Sequence, residues 1–133
     1  MRVLALDYGS ARCGCALSDP TGTIVTPIEP VVKPASRRGL AALAQLVRER
    51  EVELVVVGLP LSLRGEDTDQ TRETRGFAEA LARRLGEDVP VDLHDERFTT
   101  RIAASMDHAS TSEDSRAAAV LLEGWLARSE IRP

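Results

Sequence analysis

Two short apolar runs that each end in an acid constrain this chain most. Val3-Leu4-Ala5-Leu6 runs into Asp7-Tyr8-Gly9, and Val89-Pro90-Val91-Asp92-Leu93 runs into His94-Asp95-Glu96-Arg97. Apolar runs of this length read as strands buried in a sheet, so the charges at their ends stand at its rim, with Gly9 permitting a tight turn. A third run, Leu54-Val55-Val56-Val57, ends at Gly58-Leu59-Pro60.

The remaining elements follow from periodicity and turn residues. Gly14 to Leu17 reads as a second strand and Thr23 to Val32 as a third, with Asp19-Pro20-Thr21-Gly22 the turn between them. Pro27 and Pro30 predict an edge position for the third. Leu40, Leu43, Leu46 and Val47 mark an amphipathic helix before the fourth strand. Phe77, Leu81 and Leu85 mark another, which Gly86 stops. After the fifth strand come a short helix around Thr100 to Met106 and a final helix. The order predicts an α/β fold over residues 1–133 as one domain. Its mixed five-stranded sheet, a three-strand antiparallel meander plus two parallel strands, is flanked by helices. Asp7, Gly58 and Glu96 would then share the rim at the carboxyl ends of the strands.

A third acid enters from the final helix. Ala118, Leu121, Leu122 and Trp125 form an i, i+3, i+4, i+7 stripe, and Asp114 lies on it one turn earlier, aimed at the sheet. A buried carboxylate needs a partner or a metal. Thr111-Ser112-Glu113-Asp114 also fits a capping box, and on the helix alone a cap is the simpler reading. Three rim carboxylates suit a two-metal site for phosphodiester cleavage. Period-two alternation sends Asp95 and Glu96 to opposite faces, so one of them is the ligand. Glu96, whose longer side chain can reach across the rim, is the choice, with Asp95 an alternative ligand or a supporting group that pairs with Arg97, Arg101 or a backbone N–H.

Composition excludes several classes. The chain has 133 residues, 43% hydrophobic and 29% charged, as expected of a globular cytoplasmic protein with no membrane span or signal peptide. Cys13 and Cys15 point the same way from a strand as small buried hydrophobes, and no second thiol or histidine pair completes a zinc site. His94 reads as a structural neighbour rather than a general base. A net charge of −4 argues against an indiscriminately basic surface but allows a local basic groove.

In their order along the chain these residues resemble the YqgF family, also called RuvX, which has a ribonuclease-H-like fold. Asp7-Tyr8-Gly9-Ser10 is similar to its D-[FY]-G-[ST] motif, and Val57-Gly58-Leu59-Pro60-Leu61 to its V-G-L-P motif. His94-Asp95-Glu96-Arg97-Phe98-Thr99-Thr100 resembles its D-E-R-[LF]-[ST]-T motif. Asp114 followed by Ala117-Ala118-Ala119 and Leu121-Leu122-Glu123 is similar to its closing pattern. Members are described as Holliday-junction resolvases and as nucleases that mature the 5′ end of 16S ribosomal RNA. The resemblance implies a two-metal-ion nuclease, with Mg²⁺ or Mn²⁺ held by Asp7, Glu96 and Asp114.

Nucleic acid is thus the expected partner: RNA in ribosome precursors, or branched DNA in the resolvase alternative. Tyr8, Gly9, Ser10, Arg64, Arg97, Thr99, Thr100 and Arg101 are the expected substrate contacts, with Tyr8 and Phe98 able either to stack on bases or to sit in the core. No Lys or Arg occurs between Arg101 and Arg116. That gap predicts few phosphate contacts and a preference for single strands over intact junctions; a monomer or weak homodimer is the expected state. Two rival readings remain: a non-catalytic RNA-binding module for ribosome assembly, and an actin-like phosphate-binding turn at Asp7 to Gly14 whose second domain a chain this short lacks.

Overall fold

A computed structural model describes residues 1–98 and 113–131 of the chain. Its elements run β1 (Val3–Asp7), β2 (Arg12–Ser18), β3 (Val25–Val32), α1 (Arg37–Glu49), β4 (Leu54–Leu59), α2 (Asp69–Leu85), β5 (Val91–Asp95), a single 3-10 turn (Glu96–Phe98) and α3 (Glu113–Ile131). The predicted short helix from Thr100 to Met106 lies outside the described residues, as do Thr99, Thr100, Arg101 and the Thr111-Ser112 half of the capping box.

The five strands form one sheet in the order β3-β2-β1-β4-β5. β1, β2 and β3 are the antiparallel meander, and β4 and β5 join in parallel beside β1. β3 is an edge strand, where its two prolines leave no central ladder bond unmade. β2 and β3 differ by a few residues from the spans read in the sequence, because pairing extends β2 to Arg12 and the Asp19 turn consumes Thr23 and Ile24. The Asp19 carboxylate accepts from the Thr23 and Ile24 amides at 2.8 and 2.9 Å, which holds those residues in the turn.

Alternation along the strands sorts the core into two layers. Leu4, Leu6, Cys13, Cys15, Val55 and Val57 face α1 and α2, packing with Leu43, Val47, Phe77 and Leu81. Val3, Ala5, Ala16 and Val56 face α3, packing with Ala118, Leu121 and Leu122. The small residues on this second face let one long helix lie close to the sheet. Trp125 adds a tie to the far edge, its indole N–H donating to Asp92 of β5 at 3.3 Å. α1 and α2 start on side-chain caps from Ser36 and Thr68, and α2 ends at Gly86.

Candidate functional site

Asp7, the last residue of β1, falls on the α3 side of the sheet, two residues beyond Ala5. Its Cα partner across β2 is Gly14. A Cβ on Gly14 would stand 1.8 Å from the Asp114 carbonyl oxygen and 2.9 Å from the Ser115 amide nitrogen, so only a bare backbone lets the start of α3 settle there. Ser115 then ties the helix down. Its buried hydroxyl donates to the Ile28 carbonyl and accepts from the Cys15 amide at 3.3 Å. The first turn of α3 is thereby fixed across β2 and β3, and the charge of Asp114 acts on Asp7.

Glu96 arrives from the other side. Gly58 of β4 pairs with His94 of β5, and Glu96, two residues further on, lies over the gap that Gly58 leaves. A Cβ on Gly58 would be 2.7 Å from Glu96 Oε1. Asp7 and Glu96 share a hydrogen bond. Burial first, then the Asp7 charge and that shared bond, push the Glu96 carboxyl up to about 7. Asp7 is also raised, by burial above all and by the Asp114 charge, while the bond to Glu96 works against the rise. Two acids in contact, both raised, beside a third acid make a site in want of positive charge.

Asp95 is engaged elsewhere. Its carboxylate accepts from Arg97 Nε at 2.9 Å, Nη2 at 2.6 Å and the Arg97 amide at 2.9 Å, and Arg97 holds it below the usual carboxylate range. Arg97 Nη1 reaches the Leu63 carbonyl at 3.3 Å, so this guanidinium braces the loop after β4. Expected either at the substrate or as a partner for Asp95, Arg97 is on Asp95 in the structure. Arg64 is exposed on that loop, next to Leu63, which is 94% exposed.

Tyr8 requires a correction. Expected at the substrate, it is buried, because the residue after Asp7 points to the opposite face of the sheet. There it stacks on Phe77 with ring centroids 4.6 Å apart. Burial and a hydrogen bond to Glu73 push its hydroxyl up to about 12. Gly9 and Ser10 do form the turn beside Asp7, with Ser10 exposed. His94 is buried.

One site residue escaped the sequence reading. Arg12, the first residue of β2, places Nε 3.4 Å from Asp114 Oδ2. Its separation of two residues from Gly14 was a usable signal, since both then belong to the face that α3 covers.

The donor set is chemically suited to hard divalent cations: three carboxylates, all oxygen, drawn from β1, the end of β5 and α3. Among the described residues no group of three acidic, histidine or cysteine side chains is already closed around one point. Asp114 is turned to Arg12 while Asp7 and Glu96 hold each other.

The model of the RuvX family, described as Holliday junction resolvase, matches residues 1–128. A protein of Maridesulfovibrio salexigens named "Putative pre-16S rRNA nuclease" is 38% identical, over 97% of this chain and 100% of its own length. One of the same name from Anaeromyxobacter sp. is 43% identical over 95% and 96%. Among solved structures, RuvC of Thermus thermophilus in complex with a Holliday junction substrate superimposes with a TM-score of 0.64 at 16% identity, covering 97% of this chain and 96% of that one. The fold is therefore that of the ribonuclease-H-like resolvases, and the chain belongs to the RuvX family.

Proposed function

We propose that this protein is a metal-dependent nuclease that hydrolyses phosphodiester bonds in RNA, acting on the 5′ end of pre-16S ribosomal RNA in the cytoplasm. The observation that carries the reading is the meeting of Asp7, Glu96 and Asp114 at one rim, with Asp7 and Glu96 in hydrogen-bond contact and the start of α3 seated on Gly14. Asp7, Glu96 and Asp114 would hold two Mg²⁺ or Mn²⁺ ions, which supply an activated water and stabilise the leaving oxygen. Glu96 would have to give up its proton to hold a cation, so its raised value would link cation uptake to pH. Gly58 keeps Glu96 close against the sheet, and Gly14 does the same for the helix that carries Asp114. The helix that carries Asp114 is thus seated backbone on backbone, while the Glu96 side chain rests over bare backbone at Gly58.

RNA is favoured over a four-way junction by the charge near the rim. Arg97 is spent on Asp95, while Arg12 beside Asp114, Arg64 on the loop after β4 and Arg116 on α3 are the exposed cations of the described elements that carry or flank the acids. So few contacts suit a single strand or a flexible end, whereas a junction needs a wide positive surface and two sites related by a two-fold axis. The relatives named for pre-16S rRNA support the same choice. The test presents purified protein and Mn²⁺ with 5′-extended 16S RNA, single strands and four-way DNA junctions in parallel. Cleavage of the RNA extension is expected. Paired symmetric nicks in the junction with intact RNA would favour the resolvase, and binding without cleavage of any substrate would favour an assembly module.

A further inference from the structure

The ion pair between Arg12 and Asp114 has the features of a contact made to be exchanged. Its backbone mounting is rigid: a Cβ on Gly9 would stand only 2.6 Å from the Arg12 carbonyl, and the Lys33 amide donates to the Ala11 carbonyl at 2.9 Å. The side chain, by contrast, is 65% exposed, and its Asp114 partner is 40% exposed. At 3.4 Å the contact is longer than a charge-assisted hydrogen bond, and a pair so open to water adds little stability. Arg97 makes the comparison within the same site, since its pair with Asp95 is short, multiply bonded and 15% exposed on the acid's side. One arginine is built in; the other is only leaning.

We propose that Arg12 is a substrate-binding residue that pairs with Asp114 in the metal-free site and transfers to a phosphate of the nucleic acid when cations take Asp114. The inference rests on the carboxylate centre proposed above. A cation drawn to Asp114 and Arg12 compete for the same oxygen, so loading repels the guanidinium. Its planar fork then faces the rim where the phosphodiester must lie, and that fork matches two phosphate oxygens. The exchange couples the two ligands: Arg12 opposes cation binding in the empty site and favours nucleic acid in the loaded one.

The coupling makes an unusual signature. Arg12→Gln is compared with wild type in two titrations, Mn²⁺ followed by the resonance of the free ion, and a short labelled single-stranded RNA followed by anisotropy in Ca²⁺ to prevent turnover. The variant is expected to bind Mn²⁺ several-fold more tightly and RNA several-fold more weakly. The slope of log affinity against log salt should also fall by about 0.7, the value for one phosphate contact on a single strand. Arg12→Lys, which keeps the charge without the fork, should keep wild-type Mn²⁺ affinity and lose part of the RNA affinity. A purely structural role for Arg12 would weaken both ligands together, and that result overturns the exchange, as does unchanged RNA affinity and salt slope in Arg12→Gln. If wild type takes up no Mn²⁺ at all, the carboxylate centre fails and the exchange with it. If Mn²⁺ binds and only the opposed shifts are missing, the centre stands and Arg12 alone is refuted.

Discussion

Gly14→Ala places one methyl group between the sheet and the helix that carries Asp114. The added carbon would sit 1.8 Å from the Asp114 carbonyl oxygen, and real contacts of this kind stay beyond 3.0 Å, so the backbones must part by about 1.2 Å. Both atoms belong to backbone, and Ser115, next to Asp114, pins the helix to β2 and β3, so no side chain can absorb the shift. Overpacking of this order costs about 1–3 kcal/mol. At roughly 4 °C per kcal/mol for a domain this size, the melting temperature should fall by about 4–12 °C. Catalysis should suffer more, because a displacement near 1 Å at a reacting group costs on the order of 100-fold. Gly58→Ala is the control. Its new carbon would meet Glu96 Oε1 at 2.7 Å, the far end of a flexible side chain, and Leu121 Cδ2 at 3.1 Å. Glu96 can swing away, so this variant should lose activity with a melting temperature within a few degrees of wild type. Calorimetry and initial cleavage rates at room temperature, where both variants remain folded, give the two numbers. Gly14→Ala that cleaves within about threefold of the wild-type rate would refute the claim that this close approach positions Asp114.

Three further outcomes follow from the site. Without metal, the raised Glu96 carboxyl favours the folded state fully below about pH 4.5, and that contribution is lost as pH rises through about 7. Because Glu96 is only partly buried, the loss is on the order of 1 kcal/mol after discounting for solvent. Urea midpoints should fall between about pH 5 and about pH 8 in EDTA, and a rise across that window would contradict the assignment; Asp95 and Asp67, held low by Arg97 and Arg75, titrate below it. Asp114→Asn should abolish cleavage while costing less than about 1 kcal/mol, since it removes one exposed ion pair and a charge near a helix start. Normal turnover with a lowered melting temperature would make Asp114 a cap only. Tyr8→Phe should cost about 1 kcal/mol through loss of the bond to Glu73 and leave turnover unchanged. A large loss of activity without loss of stability would return Tyr8 to the substrate.

The strand order was legible because the signals were local: apolar runs of strand length, a turn at Asp19 to Gly22, prolines that exclude β3 from the sheet's centre, and a helix stripe that orients α3. Period-two alternation also separated Asp95 from Glu96, and the structure has the first on Arg97 and the second on Asp7. The same rule applied one residue after Asp7 would have sent Tyr8 to the core. Arg12 and Arg97 show the limit of such reasoning. Both are arginines near the acids; the Asp95–Arg97 pair could be read from their adjacency, but nothing in the order of residues says that Arg97 also reaches the Leu63 carbonyl or that Arg12 leans on α3. That distinction depends on how closely α3 approaches β2, which the single hydrogen atom of Gly14 decides.

The most direct measurement is cleavage of a 5′-extended 16S RNA fragment by wild type and Asp7→Asn across a Mn²⁺ titration, with circular dichroism reporting the fold. Asn keeps the shape of the side chain and removes the charge that would hold the ions. Wild type should cleave with Mn²⁺ and stop in EDTA, and a folded Asp7→Asn should remain inactive at every Mn²⁺ concentration. Undiminished cleavage by Asp7→Asn at saturating Mn²⁺, or by wild type in EDTA, would contradict a metal centre built on Asp7, Glu96 and Asp114.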